Sequence, residues 1–89
     1  MTHSILITGC SSGIGLDAVR VLKARGWRVI ATARTPEDIA RLKADEGVEA
    51  LHLELADPKS IAACADAVLE LTAGKLDALF SNACLLYHI

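Results

Sequence analysis

The chain has 89 residues, which limits it to one small domain. Hydrophobic residues make up 53% and aromatics only 3%, with a mean hydropathy of +0.41, so the expected core is aliphatic and built on strands buried on both faces. The net charge of −2 offers no basic patch, which excludes nucleic acid as the expected partner, and no apolar run approaches the ~18 residues of a membrane helix.

"SILIT", Ser4 to Thr8, is short, apolar and β-branched, and reads as a first strand. A helix follows from about Ile14 to Arg25, with Ile14, Ala18, Val21 and Leu22 expected on its apolar face and Gly26 as its stop. "WRVIATA", Trp27 to Ala33, is the second strand. Thr35 caps a second helix that starts at Pro36, carries Glu37 and Asp38 in its first turn, and ends at Gly47. "VEALHLEL", Val48 to Leu55, alternates as a third strand. Asp57 and Pro58 repeat the cap-plus-proline start of a helix that runs to about Ala73, with Ile61, Cys64, Val68 and Leu71 on one stripe and Gly74 closing it. "LDALFSNA", Leu76 to Ala83, is the fourth strand and its exit. Strands alternating with helices predict an α/β fold with a parallel sheet and right-handed crossovers.

The amino-terminal "MTHSILITG" has no basic segment followed by a long apolar one, so no secretory signal is expected. Cys10, Cys64 and Cys84 are odd in number and widely spaced. They suggest neither a disulfide framework nor a zinc site, and reduced thiols in a cytoplasmic protein are the simpler expectation.

Gly9, Gly13 and Gly15 lie between the first strand and the first helix. Glycine at 9 permits a tight turn, at 13 lets the main chain approach a ligand, and at 15 lets the helix sit close to the sheet. The helix start then offers unpaired N–H groups and a positive dipole end, a site for a pyrophosphate. No Lys-Ser or Lys-Thr follows Gly15, so the loop is not of the Walker type. A plain βα turn is the alternative reading, and the surrounding strand–helix–strand context weighs against it.

The segment "TGCSSGIG", Thr8 to Gly15 and so including Ile14, resembles the cofactor signature of the short-chain dehydrogenases/reductases. "LFSNAC", Leu79 to Cys84, resembles the Asn-Asn-Ala-Gly segment that follows strand four in that family. The resemblance spans Ser4 to about Ala83. It implies a Rossmann-like three-layer αβα architecture with a partial four-stranded sheet in the order 3-2-1-4. The first two helices would lie on one face and the third on the other. Residues 1–89 would form a single, partial NAD(P)-binding domain.

Strands of this kind that prefer NAD end in an acid that binds the ribose 2′-OH. Here Ala33 stands in that place and Arg34 follows. A guanidinium there suits a 2′-phosphate, and Ser11 and Ser12 add hydroxyl donors, so NADP(H) is expected over NAD. The plain alternative for Arg34 is a solvated surface side chain. The resemblance further implies that Glu54 meets the adenine amino group, that the N–H of Leu55 meets the ring, and that Asn82 and Ala83 line the nicotinamide ribose. Thr8 would tie strands one and four together. Ser81 replaces the first Asn of the family segment and Cys84 its Gly, where a Cβ would crowd the cofactor.

The reaction implied is hydride transfer between the nicotinamide and a carbonyl or alcohol, with a Tyr, a Lys four residues later and an upstream Ser. None of this catalytic set maps onto the chain, whose single tyrosine is Tyr87. The tail "CLLYHI" departs from the family pattern, which suggests a truncation or a frame change near Cys84. Strand four would then be an exposed edge, with Leu79 and Phe80 near it, and self-association through that edge is expected. A non-catalytic nucleotide-binding module and a self-associating fragment are the competing readings.

Overall fold

Four parallel strands in the order β3-β2-β1-β4 form the sheet. The computed structural model describes residues 2–82. β1 is Ser4–Ile7, α1 Gly13–Ala24, β2 Arg28–Ala33, α2 Pro36–Arg41, β3 Glu49–His52, α3 Pro58–Thr72 and β4 Ala78–Phe80. A π-helical turn, Leu42–Glu46, continues α2. The register sets Ile5 beside Val29 and Ala78, and Ile30 beside Glu49. Every predicted element is present and the strand order is the expected one. The strands are shorter than predicted: β1, β3 and β4 end earlier and β2, β3 and β4 begin later, and past β3 the Leu53 N–H still reaches the Ala33 carbonyl, at 3.0 Å, before a turn closes from Asp57 N–H to Glu54 O.

Alternation along the strands builds two apolar layers. Ile5, Ile7, Val29, Ala31, Ala33 and Ala50 face α1 and α2 and pack with Val19 and Leu42. Ile30 and Leu53 face the other way and pack with Cys64 and Val68 of α3. The layering is therefore two helices on one face and one on the other. On the first face, Arg20 of α1 grips Glu46 (Nε to Oε1, 3.2 Å; Nη2 to Oε2, 3.0 Å), and Lys23 Nζ donates to Gly47 O at 2.7 Å.

The helix faces differ from the predicted ones. On α1 the buried positions are Gly15 and Val19, flanked by Leu16, Ala18 and Leu22, while Ile14 is 67% and Val21 51% exposed. Gly15 must lie against the chain at Gly9, and that contact rolls the helix away from the face its apolar residues alone suggest. On α3 the buried stripe is Ser60, Cys64, Val68 and Thr72, and Ile61 and Leu71 are exposed. Two hydroxyls sit in that stripe without cost because both are bonded: Ser60 Oγ accepts from Glu54 N–H at 2.8 Å, and Thr72 Oγ1 donates to Val68 O at 2.8 Å. The predicted caps hold, with Thr35 Oγ1 accepting from Asp38 N–H at 3.2 Å and Asp57 Oδ1 from Lys59 N–H at 3.0 Å.

Acid stability follows from the carboxylates that fix the sheet. Arg28 makes a bidentate pair with Glu49 (Nε to Oε2 and Nη2 to Oε1, both 2.7 Å) and also donates to Leu71 O at 2.8 Å, joining β2, β3 and the end of α3. Arg28 holds the Glu49 carboxyl below its ordinary 4.5, and Arg20 does the same for Glu46. The Ser4 main-chain N–H, 2.7 Å from Oδ2, lowers Asp77 below 3.8. Groups lowered in the folded chain add stability that is present above their unfolded pKa and lost as pH falls through the folded one. Melting followed by circular dichroism should therefore be level from neutrality to about pH 5.5 and fall below about pH 4.5. Glu49→Gln should make that fall shallower.

Candidate functional site

The carboxyl ends of the strands open onto a cleft of about 390 Å³. It lies where the order reverses at β1, whose neighbours β2 and β4 run off to opposite sides. The loop from β1 to α1 forms one wall. Thr8 N–H donates to Phe80 O at 3.1 Å, joining the end of β1 to β4, and Cys10 N–H donates to Thr32 O at 3.0 Å, joining the loop to β2. Between them Gly9 takes a left-handed φ of +69°, which an L side chain resists.

Gly15 packs onto that turn. A Cβ there would lie 2.3 Å from Gly9 O, closer than any real contact allows. The same carbonyl accepts a hydrogen bond from Asn82 Nδ2 at 3.2 Å, from a residue 73 positions away. Gly9, Gly15 and Asn82 thus form one packed corner that fixes where α1 begins. Gly13, with φ of +64°, faces the other way: a Cβ there meets nothing within 4 Å.

The start of α1 is electropositive and unclaimed. Ser12 is the extended N-cap residue, its hydroxyl makes no capping bond, and no acid stands in the first turn. The first N–H groups of a helix have no partner within it. The residues at this start, Ser11, Ser12, Gly13 and Ile14, line the cleft.

The opposite wall comes from the end of β2 and the start of α2. Ala33 is buried, so no acid ends this strand. Arg34 and Thr35 follow, both exposed and lining the cleft. Among the described residues no acid pairs with Arg34. Leu53 and Leu55, beyond β3, supply an apolar side.

Of the residues singled out from sequence, Gly9, Ser11, Ser12, Gly13, Ile14, Arg34, Leu55 and Asn82 come together on this cleft. Gly15 stands behind the wall rather than on it. Glu54 is not on the lining; its Oε1 accepts from Ala56 N–H at 3.2 Å within its own turn. Ala83 and Tyr87 lie outside the described residues. Thr32, Leu53 and Asp38 also line the cleft. Leu53 was legible as the same-side neighbour of Leu55 two residues on. From sequence alone Asp38 is visible only as a first-turn acid of α2.

Cys10 sits inside the loop with no exposed surface, and its Sγ donates to Ile7 O at 3.0 Å. Burial pushes its thiol up to about 11, opposed in part by hydrogen bonding with the Thr32 main chain. It fills space beneath the loop and is not poised as a nucleophile. Among the described residues no helix is long and apolar enough to cross a membrane.

A model of the short chain dehydrogenase family matches residues 3–88. The uncharacterized oxidoreductase YbbO of Escherichia coli is 42% identical over 83 residues, covering 93% of this chain and 30% of that protein. Among solved structures, a short-chain dehydrogenase from Streptomyces avermitilis superposes with a TM-score of 0.78 at 34% identity, over 89% of this chain and 29% of the other. An actinorhodin polyketide ketoreductase solved with NADPH gives 0.74 at 36% identity, over 88% of this chain and 31% of the other. The chain thus spans about 30% of the length of this relative and of the two solved proteins. The match runs from β1 through the glycine loop to the strand-four segment, and by it the chain belongs to the short-chain dehydrogenase family.

Proposed function

We propose that the chain is the NADP(H)-binding portion of a short-chain oxidoreductase. The observation that carries this reading is Arg34, which lines the cleft at the end of β2 without an acid partner among the described residues, beside a buried Ala33 where an acid would stand for NAD. The open space at Gly13 and the acid-free start of α1 suit a pyrophosphate. Leu53 and Leu55 suit an adenine face, and a cleft of about 390 Å³ falls in the range of small-molecule sites. The ketoreductase with NADPH bound supports the same coenzyme class.

When bound, NADP(H) supplies hydride transfer to or from a carbonyl or alcohol. The chain's own residues bind and orient. Main-chain N–H groups of α1 neutralise the pyrophosphate, Arg34 takes the 2′-phosphate through a charge-assisted pair, and Ser11 and Ser12 donate hydroxyls. Asn82 fixes the loop through Gly9 O. Calorimetric titration of the chain with NADPH and NADH tests the reading. NADPH should bind about tenfold tighter or more. Equal affinities, or tighter NADH, would overturn it.

A further inference from the structure

Asp38 lines the cleft together with Arg34 and Thr35. An acid therefore stands in the region where the proposed reading puts a 2′-phosphate. A free carboxylate there repels that phosphate and accepts a ribose hydroxyl instead, as an acid at the end of the second strand does in NAD sites. The Asp38 carboxylate is not free. Arg41, one turn further along α2, donates from Nη2 to Asp38 Oδ1, and the Asp38 side chain is 25% exposed against 57% for Arg41. The Asp38 main chain is held as well, through its N–H on Thr35 Oγ1.

Arg41 is absent from the cleft lining. It borders a second hollow of about 50 Å³, shared with Cys10, Arg20, Asp45 and Glu46. Glu46 is taken there by Arg20. Among the described residues the acid paired with Arg41 is Asp38. The cation thus works from outside the cleft on an acid inside it.

We infer that Arg41 is a positioning residue for coenzyme choice: by holding and neutralising Asp38, it keeps that carboxylate from opposing a 2′-phosphate at Arg34. The inference rests on the NADP(H) reading and adds a residue to it. Without Arg41, the same cleft presents an acid able to take a ribose hydroxyl, and its preference shifts toward NADH.

The test is calorimetric titration with NADPH and NADH of the unaltered chain, Arg41→Gln, Asp38→Asn and the double variant, each first checked for folding by circular dichroism. Arg41→Gln should cut the NADPH-over-NADH ratio by about three- to tenfold, the size of one screened charge close to a phosphate. Arg41→Lys should recover most of that ratio. Asp38→Asn should keep or raise it, and in the Asp38→Asn background loss of Arg41 should change it by less than about twofold. Equal weakening toward both coenzymes would mark a structural role and overturn the inference. A loss of ratio that persists in the Asp38→Asn background would make Arg41 a direct phosphate ligand, and also overturn it. Failure of the NADP(H) reading itself shows separately, as the absence of any NADPH preference in the unaltered chain, and removes this inference with it.

Discussion

Gly15→Ala is expected to destabilise the chain by about 3 kcal/mol and to abolish coenzyme binding. The added Cβ would sit 2.3 Å from Gly9 O and 3.0 Å from both Asn82 Nδ2 and Gly9 C. Two of these three atoms are main chain, so no rotamer change relieves the contact. Either α1 lifts off the sheet or the turn at Gly9 moves. Lifting α1 opens the layer that Val19 closes, and moving the turn breaks the bond from Asn82 and displaces the start of α1 that lines the cleft. Overpacking of this kind costs about 1–3 kcal/mol and occasionally more, and an immovable backbone neighbour argues for the upper end. A domain of this size has only about 4–13 kcal/mol in total. The melting temperature should fall by about 10 °C or more.

Gly13→Ala separates the two consequences. Its Cβ meets nothing within 4 Å, so only the strain of a side chain at φ of +64° remains, about 1–2 kcal/mol. The fold should persist, yet the methyl group occupies the space a phosphate needs, and NADPH binding should be lost. Paired thermal melts and titrations of both variants check this. A Gly15→Ala chain that melts within a few degrees of the unaltered one would show that the corner yields easily.

These two glycines also show what was legible in the sequence and what was not. The spacing of Gly9, Gly13 and Gly15 after an apolar strand announced the turn, the approach and the close helix, because each demands an absent Cβ. The caps at Thr35 and Asp57, each followed by a proline, announced where helices start, since the donor groups there are local. The helix faces were misread for a related reason. Hydrophobic periodicity counts large apolar side chains, so it put Ile14, Val21, Ile61 and Leu71 inside and passed over Gly15, Ser60 and Thr72. Those three are buried because their partners, Gly9 O, Glu54 N–H and Val68 O, are in place. Only the last is within one helical turn. The Asn82 bond to Gly9 O joins residues 73 apart, and nothing in either segment alone indicates it. Asp38 and Arg41 are three residues apart, and a helical pair was readable; that the acid lines the cleft while the arginine does not required the fold.

Arg34→Ala should weaken NADPH binding by about 10- to 100-fold and change NADH binding by less than about twofold. The magnitude follows from what the side chain is free to do. Arg41 is occupied by Asp38, Arg28 by Glu49 and Arg20 by Glu46, whereas Arg34 has no acid partner among the described residues. A guanidinium already bound to a carboxylate gives up that pair to take a phosphate; Arg34 gives up only water. A charge-assisted bond to an ionised group contributes about 1.5–3 kcal/mol, which sets the range. NADH carries a hydroxyl in place of the phosphate, so removal of the cation costs it little. Because Arg34 is exposed, the preference should also shrink as salt rises, with the Debye length falling from about 10 Å at 0.1 M to about 3 Å at 1 M. Titrations of the unaltered chain and Arg34→Ala with both coenzymes at the two salt concentrations distinguish this from a packing effect. Loss of packing would lower both affinities together and leave their ratio unchanged by salt, whereas a phosphate contact changes the ratio and leaves the NADH arm where it was.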